Sequence, residues 1–235
     1  MIQPSTPVAQ IVLDHSACAP VLQRLQIDFC CRGHLALEQA CEERGVDAKR
    51  VIRELESAIA TRDEDDLDVF DARLLDNRAL IEHIVNVHHL YLRDVLPFLV
   101  TLSQKVARAH GARVPGLLRL KDVVVALRDE LIPHIDYEEY TVFPALLSRA
   151  PGDPIIREAL KTMYLEHPGV ALLLGEVRRL TGDYTVPEEA CTSYTTLFRE
   201  LEKLESDTLR HVHLENHVLM PRFVSLVPGA AAQLR

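Results

Sequence analysis

Two stretches of the chain repeat one pattern: His134 to Pro144, H-I-D-Y-E-E-Y-T-V-F-P, and His211 to Pro221, H-V-H-L-E-N-H-V-L-M-P. Each reads His, three residues, Glu, five residues, Pro, with two apolar residues before the proline. A His and a Glu four positions apart lie one above the other on one face of an α-helix. Two such helices facing each other supply two imidazoles and two carboxylates to the middle of a bundle. That is ligand chemistry for a pair of hard-to-borderline metal ions, with the carboxylates as candidate bridges.

The rest of the sequence provides the bundle. Leu80, Ile84, Val87, Tyr91 and Val95 recur at helical spacing and predict a first long helix over about 76–109, closed by Gly111 and Pro115. A second is expected over about 117–147, stopped by P-G-D-P at 151–154. A third spans about 154–181, ended by Gly182, and a fourth runs from near Pro187 to about Leu226. Pro133 and Pro168 fall inside this scheme and are expected to kink their helices. The connections are short, so the expected class is all-α, an up-down-up-down four-helix bundle. Aromatics at 5% and the absence of Trp agree with helix packing.

Two further histidines fit this frame. His89 lies 45 residues before His134, and His167 lies 44 residues before His211. Each half of the bundle then reads as a helix with a His followed by a helix with His-x-x-x-Glu, two hairpins related by a pseudo-two-fold. The inner set is His89, His134, Glu138, His167, His211 and Glu215. Periodicity alone does not choose between His88 and His89. Four imidazoles and two carboxylates suit a di-iron or iron–manganese pair, whereas a structural zinc takes four ligands, often thiolates. A lone helical His is ordinarily a core or surface residue. Two matched carboxylates at equivalent core places need a cation, because burying a charge without one is costly. His213, His217, Asp136 and Glu139 are expected to point away from the centre.

Upstream, about 55 residues form short helical patterns. Pro20 sits in a first turn, Gly45 closes a segment, and Asp47 is a good N-cap. The first eight residues, with two prolines, are expected to be a loose lead-in. The acidic run D-E-D-D-L-D-V-F-D at 63–71 reads as a solvated linker. The expected organisation is therefore a small helical domain over 1–62, an acidic linker over 63–74 and the bundle over 75–235. A module this small leans on the rest of the chain for stability. The net charge of −9 argues against a nucleic-acid partner. No apolar run is long enough for a membrane helix, and the N-terminus lacks the pattern of a signal peptide. Five cysteines, an odd number, point to reduced thiols and a cytoplasmic location. The adjacent pair Cys30 and Cys31 is the second feature of note, since a vicinal disulfide is strained. Thiol redox chemistry, or transient handling of a metal or nitric oxide, is the functional reading; one buried and one idle thiol is the alternative.

These residues resemble the iron-sulfur cluster repair di-iron proteins, the RIC family. L-Q-I-D-F-C-C-R-G-H is similar to that family's opening double-cysteine domain, and the C-terminal 160 or so residues are similar to its hemerythrin-like domain. The resemblance covers nearly the whole chain in the right order. It implies a centre of two iron ions, with oxo or hydroxo and carboxylate bridges. The family's four histidines and two bridging glutamates fall on His89, anchored by H-I-V-N-V-H-H, on His134 with Glu138, on His167 after Glu166, and on His211 with Glu215. This selects His89 over His88. E-A-C-T at 189–192 also looks like a family segment. Arg32, Leu92, Pro133 and Pro168 depart from the family pattern without removing a ligand.

The resemblance implies repair of iron–sulfur clusters damaged by nitrosative or oxidative stress, by supply of iron. Capture or sensing of nitric oxide or dioxygen at the di-iron centre is the alternative. Reduction of nitric oxide, with Cys30 and Cys31 supplying electrons, ranks below both. The expected partners are damaged iron–sulfur proteins, nitric oxide or dioxygen as ligands, and a second copy of the chain.

Overall fold

The computed structural model describes residues 1–61, 71–150 and 152–223. Among these residues the fold is all-α, with no strand and an isolated antiparallel bridge between Pro7 and Ala36. No helix among them is long and apolar enough to cross a membrane. Contacts divide the chain into two compact units, Ile81–Thr208 and a second made of Met1–Leu80 with the stretch from Leu209 onward.

The unit Ile81–Thr208 is the four-helix bundle. It contains the end of α5 (Asn77–Ile84), α6 (Leu90–His110), α7 (Gly116–Tyr137), the short α8 (Phe143–Ser148), α9 (Pro154–Thr181) and most of α10 (Thr192–Leu214). Leu92, Leu96 and Leu99 of α6 pack with Leu120, Val124 and Leu127 of α7, Leu174 and Val177 of α9, and Leu197, Leu201 and Leu204 of α10. The three-and-four spacing of these residues gives each helix one apolar stripe. Each buried Leu is worth about 1.5–3 kcal/mol of transfer free energy. Pro133 and Pro168 lie inside α7 and α9, and both helices run on through them. Asp153 caps α9 by accepting the Ile155 amide at 2.8 Å, and Gly182 ends it in the left-handed region at φ 56°. Helix α10 starts at Thr192, later than the sequence pattern suggests, because the Ala190 amide turns back onto the Pro187 carbonyl at 3.0 Å.

The other unit is built on α1 (Val8–Asp14), α2 (Ala19–Arg24), α3 (Leu37–Arg44) and α4 (Ala48–Ala60). Its core gathers Leu22, Phe29, Cys30, Leu37 and Leu55 with Val212 from the end of α10. The local signals operate as expected: Asp47 accepts the Lys49 and Arg50 amides at 3.2 Å each, and Gly45 takes a φ of 66° at the end of α3. The expected loose lead-in is instead tied down. Pro4 and Thr6 accept the amides of Glu38 and Leu37 at 2.9 Å, and Leu35 accepts the Val8 amide at 3.0 Å. Those bonds satisfy backbone that prolines cannot pair themselves. The acidic run at 63–71 lies, except for Asp71, outside the described residues. So does the expected end of the last helix beyond 223. Asp71 and Asp14 both hold Arg73 at 2.8 Å. Arg222 donates to the Leu75 carbonyl at 2.8 Å, the Ala72 carbonyl at 3.2 Å and Asn77 Oδ1 at 3.1 Å.

Candidate metal centre

Three π-turns interrupt the helices, at Val85–His89, Glu138–Val142 and Glu215–Leu219. One begins on each glutamate of the repeated pattern, and the third ends on His89. A π-turn adds one residue to a helical turn and re-aims the side chains after it; such turns concentrate at functional sites. The helical spacing of the sequence predicts uninterrupted helices here. The signal that could have located two of the turns is the proline six positions after each Glu, Pro144 and Pro221. A proline forfeits its own helical N–H bond, so the ladder is already relaxed where the turn widens.

Within Ile81–Thr208, Glu138 is fully buried. Its Oε1 lies 3.0 Å from His134 Nε2 and its Oε2 lies 3.3 Å from His89 Nε2. His134, Glu138 and His167 each bring one ligand atom within 4.8 Å of the others. The His134 and His167 rings meet edge to face at 5.2 Å. The opposite nitrogens of two of these rings are committed as well. His89 Nδ1 meets Glu139 Oε1 at 2.9 Å, and His134 Nδ1 meets Glu166 Oε2 at 2.6 Å. A carboxylate can only accept, so with the hydrogen held on Nδ1 by Glu139 or Glu166, Nε2 is the ring nitrogen that would bind an ion. Arg93 bonds Glu139 at 3.0 Å and Asp136 at 2.7 Å. Glu139 is therefore not the outward-facing residue expected from its place beside Glu138. The π-turn starting at Glu138 lets neighbouring carboxylates reach the same imidazole. His88 is buried too, but its Nδ1 meets Asp207 at 2.8 Å.

Within the other unit, His211 Nε2 lies 2.9 Å from Glu215 Oε1, both buried. His213 and His217, expected to point away from His211 into solvent or to a supporting place behind the ligands, are both held by the double-cysteine loop. His213 is buried, and its Nδ1 donates to the Phe29 carbonyl at 3.1 Å. Burial pushes its pKa down to about 3, so the ring is neutral. The Cys30 carbonyl accepts from Asn216 Nδ2 at 3.2 Å and from His217 Nε2 at 2.7 Å. The physical reason is that the double-cysteine loop packs on this side of the helix, which local helical geometry cannot foresee. In that loop Cys30 is buried and Cys31 half-buried, with their sulfurs 3.7 Å apart. Asp28 Oδ1 accepts the Cys30 amide at 3.0 Å, the Cys31 amide at 2.8 Å and the Cys30 thiol at 3.2 Å. The hydrogen bond with Cys31, together with burial and the neighbouring Asp28, raises the Cys30 pKa well above the ordinary thiol range.

Most of the chain is similar to known domains. Residues 80–223 match the Hemerythrin HHE cation binding domain, and residues 4–59 match the ScdA N-terminal domain, a domain of unknown function (DUF542). The chain is 32% identical over 225 residues to a protein of Staphylococcus haemolyticus named iron-sulfur cluster repair protein ScdA, covering 95% of this chain and 100% of that one. It is 33% identical over 201 residues to a Yersinia pestis protein named iron-sulfur cluster repair protein YtfE, covering 84% and 86%. The YtfE protein of an Enterobacter is 28% identical over 216 residues, covering 92% and 95%.

Proposed function

The chain belongs to the family of iron-sulfur cluster repair proteins that join a ScdA-type N-terminal domain to a hemerythrin cation-binding domain, and from that premise we propose that it repairs iron–sulfur clusters damaged by nitrosative or oxidative stress by supplying iron from a two-iron centre. We assign His89, His134, Glu138, His167, His211 and Glu215 to that centre, with Glu138 and Glu215 as the bridging carboxylates.

The observation that carries this reading is the posture of Glu138. Its two oxygens face two different imidazoles, at 3.0 and 3.3 Å. A carboxylate serving one ion directs its oxygens to one place; one split between two rings is disposed to serve two. The donor set fits iron: imidazole and carboxylate suit iron and manganese, and no thiolate stands among the six. When bound, the iron is the cargo that a depleted cluster lacks. The chain's own residues hold the ligand atoms ready. Glu139 and Glu166 keep the Nδ1 protons of His89 and His134 in place, and burial of Glu138 and Glu215 keeps water from competing for their oxygens.

The test is reconstitution of a cluster-depleted aconitase. The iron-loaded protein is expected to restore more activity than equimolar free ferrous iron, and equal recovery overturns donation. A Mössbauer spectrum of the loaded protein is expected to show a coupled pair; a single uncoupled iron site overturns the two-iron assignment.

A further inference from the structure

The double-cysteine loop carries a donor set of its own. Asp28, Cys30 and Cys31 each bring one ligand atom within 4.8 Å of the others. The two sulfurs stand 3.7 Å apart. Two thiolates bound to one tetrahedral ion at about 2.3 Å each are separated by about 3.8 Å. The pair is thus already at the spacing that one metal ion requires. A vicinal disulfide would need the sulfurs at about 2.05 Å, a closure of roughly 1.6 Å.

The loop around the pair is fixed against such a closure. Asp28 Oδ1 holds the amides of both cysteines. From the end of the last helix, His217 and Asn216 hold the Cys30 carbonyl and His213 holds the Phe29 carbonyl. Gly33 lies so close to its surroundings that a Cβ there would fall 2.5 Å from the Phe29 carbonyl oxygen and 2.6 Å from His217 Nε2. Held backbone with correctly spaced sulfurs is what distinguishes a ligand site from two thiols that happen to be neighbours.

We infer that Asp28, Cys30 and Cys31 form a second metal site, distinct from the histidine and glutamate centre, which takes one soft-to-borderline divalent ion of the Zn2+ or Fe2+ class on two thiolates and a carboxylate. Thiolates select such ions over hard ones. Binding exchanges two S–H bonds for two sulfur–metal bonds; both protons leave to solvent and no oxidation state changes. Three protein donors leave a fourth tetrahedral position to an outside ligand, and the half-buried Cys31 provides the access. The ion at this site is therefore exchangeable.

The probe is Co2+, titrated into the reduced, metal-free full-length protein. Tetrahedral thiolate coordination adds a sulfur-to-cobalt charge-transfer absorption that imidazole and carboxylate ligands cannot give. This separates the outcome from that of the two-iron assignment. The expected result is a charge-transfer band that grows to saturation with added Co2+ and disappears in Cys31→Ser, a variant whose half-buried site keeps its helical circular dichroism. Zn2+ is expected to bleach the band and to block alkylation of Cys30 and Cys31, read by peptide mass spectrometry. Absence of the band in the unaltered protein overturns the site. So does a band that survives both Cys30→Ser and Cys31→Ser, since cobalt then sits on another cysteine.

Discussion

Glu139 Oε1 accepts the Nδ1 hydrogen of His89 at 2.9 Å, while the preceding residue, Glu138, faces the Nε2 of the same ring. Successive residues on a regular α-helix point about 100° apart and do not meet the same ring from opposite sides. They do so here because the π-turn Glu138–Val142 begins at this point.

This contact makes Glu139 a positioning residue for the centre. Replacement by Ala is expected to lower metal affinity about 10–100-fold, the usual cost of losing a carboxylate behind a histidine ligand. Glu139→Gln, whose amide oxygen still accepts from Nδ1, is expected to recover part of the loss. Competition with a chromogenic chelator measures both; an affinity unchanged in Glu139→Ala would remove the residue from the site.

Glu138 is fully buried, so its role can be read as a difference between loaded and metal-free protein. An ion bound only by the folded state raises stability by RT ln(1 + [L]/Kd), about 2.7 kcal/mol at a hundredfold excess over Kd. Loaded protein is expected to melt above the metal-free form. In Glu138→Gln the gap should shrink and metal content fall. A full complement of metal in this variant would contradict the bridging role.

Gly33 is required by space, not by its dihedral angles. A Cβ would meet Ala9 Cβ at 2.5 Å, the Phe29 carbonyl oxygen at 2.5 Å and His217 Nε2 at 2.6 Å. Ala9 Cβ and the Phe29 carbonyl oxygen cannot swing aside as a side-chain tip can, so Gly33→Ala must shift the double-cysteine loop. The expected cost is about 1–3 kcal/mol, the range for overpacking, measured by urea unfolding. Faster alkylation of Cys30 in the variant would report the loosened loop directly.

Cys18 lies in the core of the same unit, its thiol facing the Leu55 carbonyl at 3.9 Å. Burial pushes its pKa up to about 11 from an ordinary 9.0. A raised thiol pKa favours the folded state at low pH: the contribution is complete below 9.0 and is lost as pH rises towards 11. Alkylation at neutral pH is therefore expected to label the exposed Cys191 and spare Cys18, with labelling of Cys18 growing as the buffer passes its ordinary value of 9.0. Equal labelling of the two at neutral pH would refute this.

What the sequence determined is what a helix writes locally. The His-x-x-x-Glu spacing puts His134 with Glu138 and His211 with Glu215, because residues four apart share a helical face. The apolar stripes placed the four helices, and Asp47, Gly45 and Gly182 marked ends through side-chain and backbone rules that act within a few residues. Tertiary structure decided the rest. No local rule turns His213 towards Phe29 or His217 towards Cys30, partners 184 and 187 positions away. Nor does any place Glu166 behind His134, or Glu139 behind His89. Those choices belong to which surfaces come together once the helices pack. The short-range code can name the ligand atoms, but only packing supplies the groups that hold them.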